Sequence, residues 1–353
     1  MKIVPTTMGF RSKLLAQKIF SYLPYRFYRY FVEKHPKLAN ADYNKYVNYY
    51  ISNCEIIRPY GLDLNNKTIL ESGTGAALVD PITFYLAGAR KTYTFDIRLH
   101  VNPKHVWGHI DAYESNLHRL AEVMGLSYDS VYSRWKTIKD IRDSDDVFDV
   151  PKITQNRVFP ESKNFHNLLD ALNVQILESR SLPGSIPKNS VDIFFSNSVI
   201  MRPKEEILRL LITEVDAVMK DDSLIWHKID TRDISWLYDK SISRYNYLKY
   251  SEIWHRVISS EAYSNQNRLR QSDYIKLFKN IGFEIIYLRS KRPENYKLDL
   301  SRIKINKRFN HYDIEDLSIT NFILFGGRGK YSKSIIPKYE LIEFPGEVED
   351  QFL

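Results

Sequence analysis

The sequence predicts an α/β domain built on a mainly parallel, seven-stranded sheet with flanking helices. Three observations predict it. From Lys67 onward, short β-branched and aromatic runs alternate with helical stretches, the order that βαβ units require. The first of these runs opens into a glycine-bearing turn and the second ends in an acid, Asp96. Seven such runs are counted before residue 330, with no internal repeat and no low-complexity tract.

The elements follow in order. Residues 1–60 read as an N-terminal helical cap, 61–330 as the main domain and 331–353 as a tail. Within the domain, 68–71 is a buried strand, 72–79 a turn, and Asp80-Pro81 the cap and first residue of a helix that Gly88 closes. Residues 92–96 form the second strand. Strands at 174–177, 191–195 and 224–229 come next, with a helix over 203–219 before the last of them. Ser272-Asp273 caps a helix that stops at Gly282, and 283–287 and 319–325 complete the set. Two intervals are longer than the alternation needs. The one over 97–173 includes a polar patch, 140–146, expected as an exposed loop. The other, 231–271, follows the fifth strand and is assigned to the acceptor side, because α/β enzymes place substrate-contacting loops at strand carboxyl ends.

Composition narrows the class. The chain has 353 residues, 43% of them hydrophobic, enough for a sizeable core, and its apolar runs are broken well before the roughly 20 residues of a membrane span. No secretory leader is expected, and the single cysteine, Cys54, cannot form an internal disulfide, so a cytoplasmic location is expected. The net charge is +8, yet residues 1–60 hold ten Lys/Arg against three Asp/Glu, which leaves the remainder almost neutral. That distribution argues against nucleic acid as the main partner. The basic segment is also aromatic over residues 20–31, where Arg26 and Arg29 alternate with tyrosines and phenylalanines. Its rings pack on the domain while the arginines snorkel, or it rests peripherally on the anionic inner membrane surface.

The sharpest constellation is Glu71-Ser72-Gly73-Thr74-Gly75 followed by Asp96. Glycines at 73 and 75 let a ligand approach the turn without a Cβ in the way, and the next helix presents free N–H groups. Asp96, with Ile97 beside it, ends the second strand where an acid meets ribose hydroxyls in such folds. A dinucleotide fingerprint would need a third glycine where this chain has Leu78. Glu71 at the mouth of the turn suits a positively charged ligand end.

The run Leu70-Glu71-x-Gly73-x-Gly75 resembles motif I of class I S-adenosylmethionine (SAM)-dependent methyltransferases, although Ala77 stands where many members carry a further glycine. Residues 190–198 resemble the fourth-strand motif of that family, which borders the cofactor and the reacting centre, and 176–181 stand where it surrounds the adenine. The resemblance implies a Rossmann-like fold, SAM as cofactor, and cofactor contacts from Glu71, Gly73, Thr74, Gly75, Asp96, Ile97, Ser179, Arg180, Ser196 and Asn197. Residues 226–233 and 267–270 resemble, more narrowly, methyltransferases of bacterial surface-glycan and polysaccharide biosynthesis, which implies O-methylation of a sugar or glycan precursor.

Methyl transfer to a hydroxyl needs alignment and a base. His227, Asp230 and Asp233 cluster at the end of the fifth strand, and His255 lies in the insertion. Each has a bland alternative: His227 as a buried packing residue on the face opposite Asp230, Asp230 or Asp233 as a turn cap or partner of Arg232, His255 as a packing residue. Asn267, Arg268 and Arg270 form a polar strip able to meet sugar hydroxyls or phosphate, or an ordinary solvated loop. His100, His105 and His109 lack the cysteine or carboxylate partners of a metal centre, so none is assigned. Two other functions fit the same residues: an RNA methyltransferase using residues 1–60 as a basic arm, and a non-catalytic SAM-binding scaffold.

Overall fold

A computed structural model describes residues 42–96, 99–144, 152–154, 157–159, 163–177, 182–237, 239–258, 266–332 and 337–345. The expectations for residues 20–31, Ile97, Ser179 and Arg180 lie outside the described residues. Eleven strands are present among them: β1 (Thr68–Ser72), β2 (Lys91–Phe95), β3 (Leu99–His100), β4 (Lys152–Thr154), β5 (Arg157–Phe159), β6 (Val174–Ile176), β7 (Val191–Asn197), β8 (Met219–Asp230), β9 (Glu284–Pro293), β10 (Asn321–Gly327) and β11 (Lys338–Phe344). The main helices are α1 (Tyr43–Ile57), α2 (Val79–Leu86), α3 (Pro103–Glu114), α4 (Leu117–Met124), α5 (Tyr128–Asp143), α6 (Lys163–Ala171), α7 (Glu205–Val218) and α8 (Gln271–Lys279).

The fold is α/β and Rossmann-like. One eight-stranded sheet runs β11-β9-β10-β8-β7-β1-β2-β6. All pairings are parallel except those of β10, which is antiparallel to β8 and β9. From β1 the chain winds outward to β2 and β6, then crosses back to start β7 on the other side. The β1/β7 boundary is therefore a switch point, where helices leave in opposite directions and a crevice opens at the carboxyl ends.

The two sheet faces are apolar for different partners. Ile69, Ile193, Phe195, Leu224 and Trp226 pack under α1 to α6, while Leu70, Phe194, Ile225 and Ile229 pack under α7 and α8. Alternation along each strand produces this division, and it places Glu71, Asn197, Lys228 and Asp230 on the α1 side. In α1 the core face is Val47, Ile51, Cys54 and Ile57, which are buried at helical spacing. Burial pushes the Cys54 thiol up to about 12, so it stays protonated and inert.

Several expectations are corrected. The sheet has eight strands because the tail supplies β11, which runs parallel to β9 at the edge. Its sequence, Lys-Tyr-Glu-Leu-Ile-Glu-Phe, has no fully buried face, so it carries little of a strand's apolar signature. Helix α2 starts at Val79 behind Leu78 at φ 51°, so Asp80 lies inside the first turn and does not cap it. Helix α8 is capped at Arg270, whose N–H donates to Asp273 at 2.8 Å. Residues 140–143 of the expected loop are the last turn of α5; Asp145 and Asp146 lie outside the described residues. The interval 97–173 holds α3 to α6 and a separate small sheet, β3-β5-β4.

Candidate functional site

The glycine turn leaves β1 at the switch point. Gly73 has φ 103° and its N–H donates to Phe95 O at 2.8 Å, which pins the turn to the end of β2. A Cβ on Gly73 would meet Val199 Cγ2 at 2.2 Å, so this glycine is required by close packing as well as by its backbone angle. Gly75, at φ 64°, faces open space. The approach to the turn is therefore open at Gly75 and closed by Val199 at Gly73. Thr74, almost fully buried, holds Thr94 at 2.9 Å, and Asp96 follows directly at the end of β2, half-buried.

Behind the turn lies a buried pair of acids. Glu71 accepts from Thr94 Oγ1 at 2.5 Å, and its carboxyl is hydrogen-bonded to that of Asp80, which in turn is bonded to Tyr50 of α1. Burial, and then the charge of Asp80, hold Glu71 well above the usual carboxylate range; burial does the same for Asp80. Two carboxyl groups this close cannot both ionise out of water, so the pair carries at most one negative charge.

A cavity of about 150 Å³ opens at the carboxyl edge beside this pair. Tyr46, Tyr49 and Tyr50 of α1 roof it; Asn197 and Ser198 from the end of β7, Lys228 and Asp230 from β8, Arg232, and Asn321 of β10 form the rest of the wall. Asn197 Nδ2 donates to Tyr50 at 3.3 Å, and Lys228 Nζ contacts the Tyr49 hydroxyl. A larger groove of about 550 Å³ lies between the start of α1 and α3.

The structure brings Glu71, Gly73, Thr74, Gly75, Asp96 and Asn197 to one edge. Ser196 is on the opposite face, fully buried, with its hydroxyl 2.8 Å from His227 Nδ1. Its side chain cannot touch a ligand at the turn. His227 is likewise sealed, stacked on Phe278 at 4.7 Å and edge-on to Phe194, and burial drops it to about 3. It is a neutral packing histidine and not a base. Asp230 reaches the cavity wall, but both its oxygens are taken by Arg232, at 2.6 to 3.1 Å. Asp233 is buried and caps a turn, accepting from Ser235 N at 2.8 Å and Asn246 at 3.2 Å. His255 is mostly buried and lowered to about 3 by burial and then by Arg268.

The strip at 267–270 is internal scaffolding. Arg270 is fully buried and donates to Thr231 O, Leu317 O and Ile319 O, while Arg268 pairs with Glu252 at 2.7 Å. Among the described residues of 231–271 only Arg232 lines the cavity, and the roof belongs to α1. His105 and His109 are engaged by Tyr43 Oη at 3.1 Å and by His105 O at 2.7 Å, and His100's side chain is outside the described residues. Sequence reasoning missed Tyr46, Tyr49, Tyr50, Asp80 and Lys228. The available signals were a tyrosine run beside the apolar stripe of α1, and a lysine inside a buried strand.

No family model matches the sequence, and no curated protein does. Solved structures are similar to it only distantly. An S-adenosylmethionine-dependent methyltransferase from Mesorhizobium loti is 8% identical over 77% of this chain and 96% of its own, with a TM-score of 0.37. A SAM-dependent methyltransferase from Aquifex aeolicus is 12% identical over 91% and 100%, at 0.34. A phosphoethanolamine N-methyltransferase from Haemonchus contortus, in complex with SAM, is 11% identical over 81% and 52%, at 0.37.

Proposed function

We propose that this chain is a SAM-dependent methyltransferase that methylates a hydroxyl of a small polar molecule, of which a sugar or glycan precursor is one class. The observation that carries the reading is the glycine turn at the β1/β7 switch point, open at Gly75, flanked by Asp96 and adjoining a separate polar cavity at the same edge. A two-part site of this kind suits a two-substrate transfer. SAM fits the residues present. Its ribose diol suits Asp96, and its positive charge is compatible with the acids Glu71 and Asp80 behind the turn.

When bound, SAM supplies an electrophilic methyl group. The chain supplies alignment: the turn fixes one partner and the α1 roof holds the other. The cavity at about 150 Å³ admits a group of a few heavy atoms and not a polymer chain, so the acceptor presents one small polar end. Incubation with methyl-labelled SAM and pooled small hydroxyl compounds, sugars and sugar phosphates tests this. Label transferred to a small product supports it, and transfer only to RNA or to nothing, in protein that binds SAM, contradicts it.

A further inference from the structure

All four residues that the sequence offered as a base are sealed or tied: His227 and His255 are buried, Asp233 caps a turn and Asp230 is clamped by Arg232. The cavity wall holds another proton acceptor. Tyr49 of α1 meets Lys228 of β8, with the ammonium in contact with the phenol oxygen and 4.3 Å from the ring centroid. The two residues are 179 positions apart, and both face the cavity. Lys228 is paired in register with Asn197 of β7, the strand beside β1, so one strand separates the contact from the glycine turn.

We propose that Tyr49, held by Lys228, is the general base that takes the proton from the acceptor hydroxyl. The inference rests on the methyltransferase reading given above. Its physical basis is a cation in direct contact with an oxygen that must become negative: a lysine donating to a phenol stabilises phenolate over phenol. The neighbouring hydroxyl shows the contrast. Tyr50 packs on Tyr49 with ring centroids 5.4 Å apart, but it is bonded to Asp80, and burial and then that acid push it well above the ordinary tyrosine range. Among the described residues, the charged groups near the pair include Asp80, on which Lys228 acts, and the Asp230–Arg232 ion pair, which is neutral overall. Lys228 also favours the ionisation of Asp80.

In the transfer step the acceptor O–H bond breaks and its proton passes to the phenolate Oη of Tyr49, which becomes the neutral phenol. The electron pair left on the acceptor oxygen forms the new O–CH3 bond as the S–CH3 bond of SAM breaks, and that pair stays on sulfur as a neutral thioether. Tyr49 then returns its proton to water.

The first test needs neither cofactor nor acceptor. Tyrosinate absorbance is followed against pH for the intact chain, Tyr49→Phe and Lys228→Met, with far-ultraviolet circular dichroism confirming the fold. Subtracting the Tyr49→Phe curve isolates one of the 25 tyrosines. The expected difference curve has its midpoint below the ordinary tyrosine value of about 10, and Lys228→Met moves it upward. A midpoint at or above 10 overturns the proposal. Should Tyr49→Phe fail to fold, Lys228→Met alone decides the matter, because it must lose one tyrosine from the early part of the titration. With an acceptor from the screen, Tyr49→Phe should lower the rate about 100-fold or more, flatten its rise with pH, and leave SAM affinity unchanged. An unaltered pH profile overturns the role of Tyr49, whereas failure of the intact chain to bind SAM overturns the methyltransferase reading instead.

Discussion

Asp230 is held by Arg232 through both carboxylate oxygens, with the Arg232 backbone N–H adding a further bond at 2.9 Å. Both side chains are nearly buried, at 9% and 3% exposure, so the pair is an internal clamp on the end of β8. Removing one member of such a pair strands the other charge out of water. Asp230→Ala is expected to destabilise the fold by about 3 kcal/mol, read from denaturant unfolding. The double variant Asp230→Ala/Arg232→Met should recover much of that loss. A single variant as stable as the parent would show that the clamp contributes nothing.

Glu71 gives a pH prediction of opposite sense to that of an ordinary surface acid. Its folded pKa lies above its unfolded value, chiefly through burial, so the folded chain keeps a proton that the unfolded chain has released. Stability is then greatest on the acid side and declines as pH rises past the unfolded value of about 4.3, by up to about 1.4 kcal/mol per pH unit. Glu71→Gln should lessen that decline while retaining an amide able to donate to Asp80, whose own burial supplies the remainder. Chemical denaturation at several pH values checks it, and an unchanged slope in the variant would refute the proton held by Glu71.

His227 predicts the reverse slope. Burial lowers it to about 3, so the unfolded chain takes up a proton that the folded chain refuses. Its contribution is complete above the unfolded value of about 6.5 and is lost as pH falls toward 3. His227→Phe should therefore lessen the acid sensitivity by about 2 to 3 kcal/mol over that window, against a pH-independent cost for leaving the Ser196 hydroxyl without its partner. Methyl transfer should keep its pH profile. A profile altered by this substitution would restore His227 as a participant.

The alternation of β1, glycine turn, α2 and β2 was legible in the sequence because each signal is local: a buried run, a glycine in a turn, an acid at a strand end. The opposite-face placement of His227 and Asp230 was also legible, since period two fixes it. The cavity roof was not. Val47, Ile51 and Cys54 announce a helix, but that its tyrosines close over Lys228 depends on packing across 179 positions. The strip at 267–270 misled for a related reason: arginines read as solvated or ligand-binding are fully internal here, because buried carbonyl oxygens at 231, 317 and 319 need donors.

Calorimetric titration of SAM and of its demethylated product into the intact chain and into Asp96→Ala addresses the central claim most directly. Both ligands should bind the intact chain, and the substitution should weaken SAM by about 1.5 to 3 kcal/mol, tenfold or more, through loss of a charged hydrogen bond at the ribose. Absence of heat with the intact chain, or equal affinity in the folded variant, would contradict the assignment of the glycine turn and Asp96 as a SAM site.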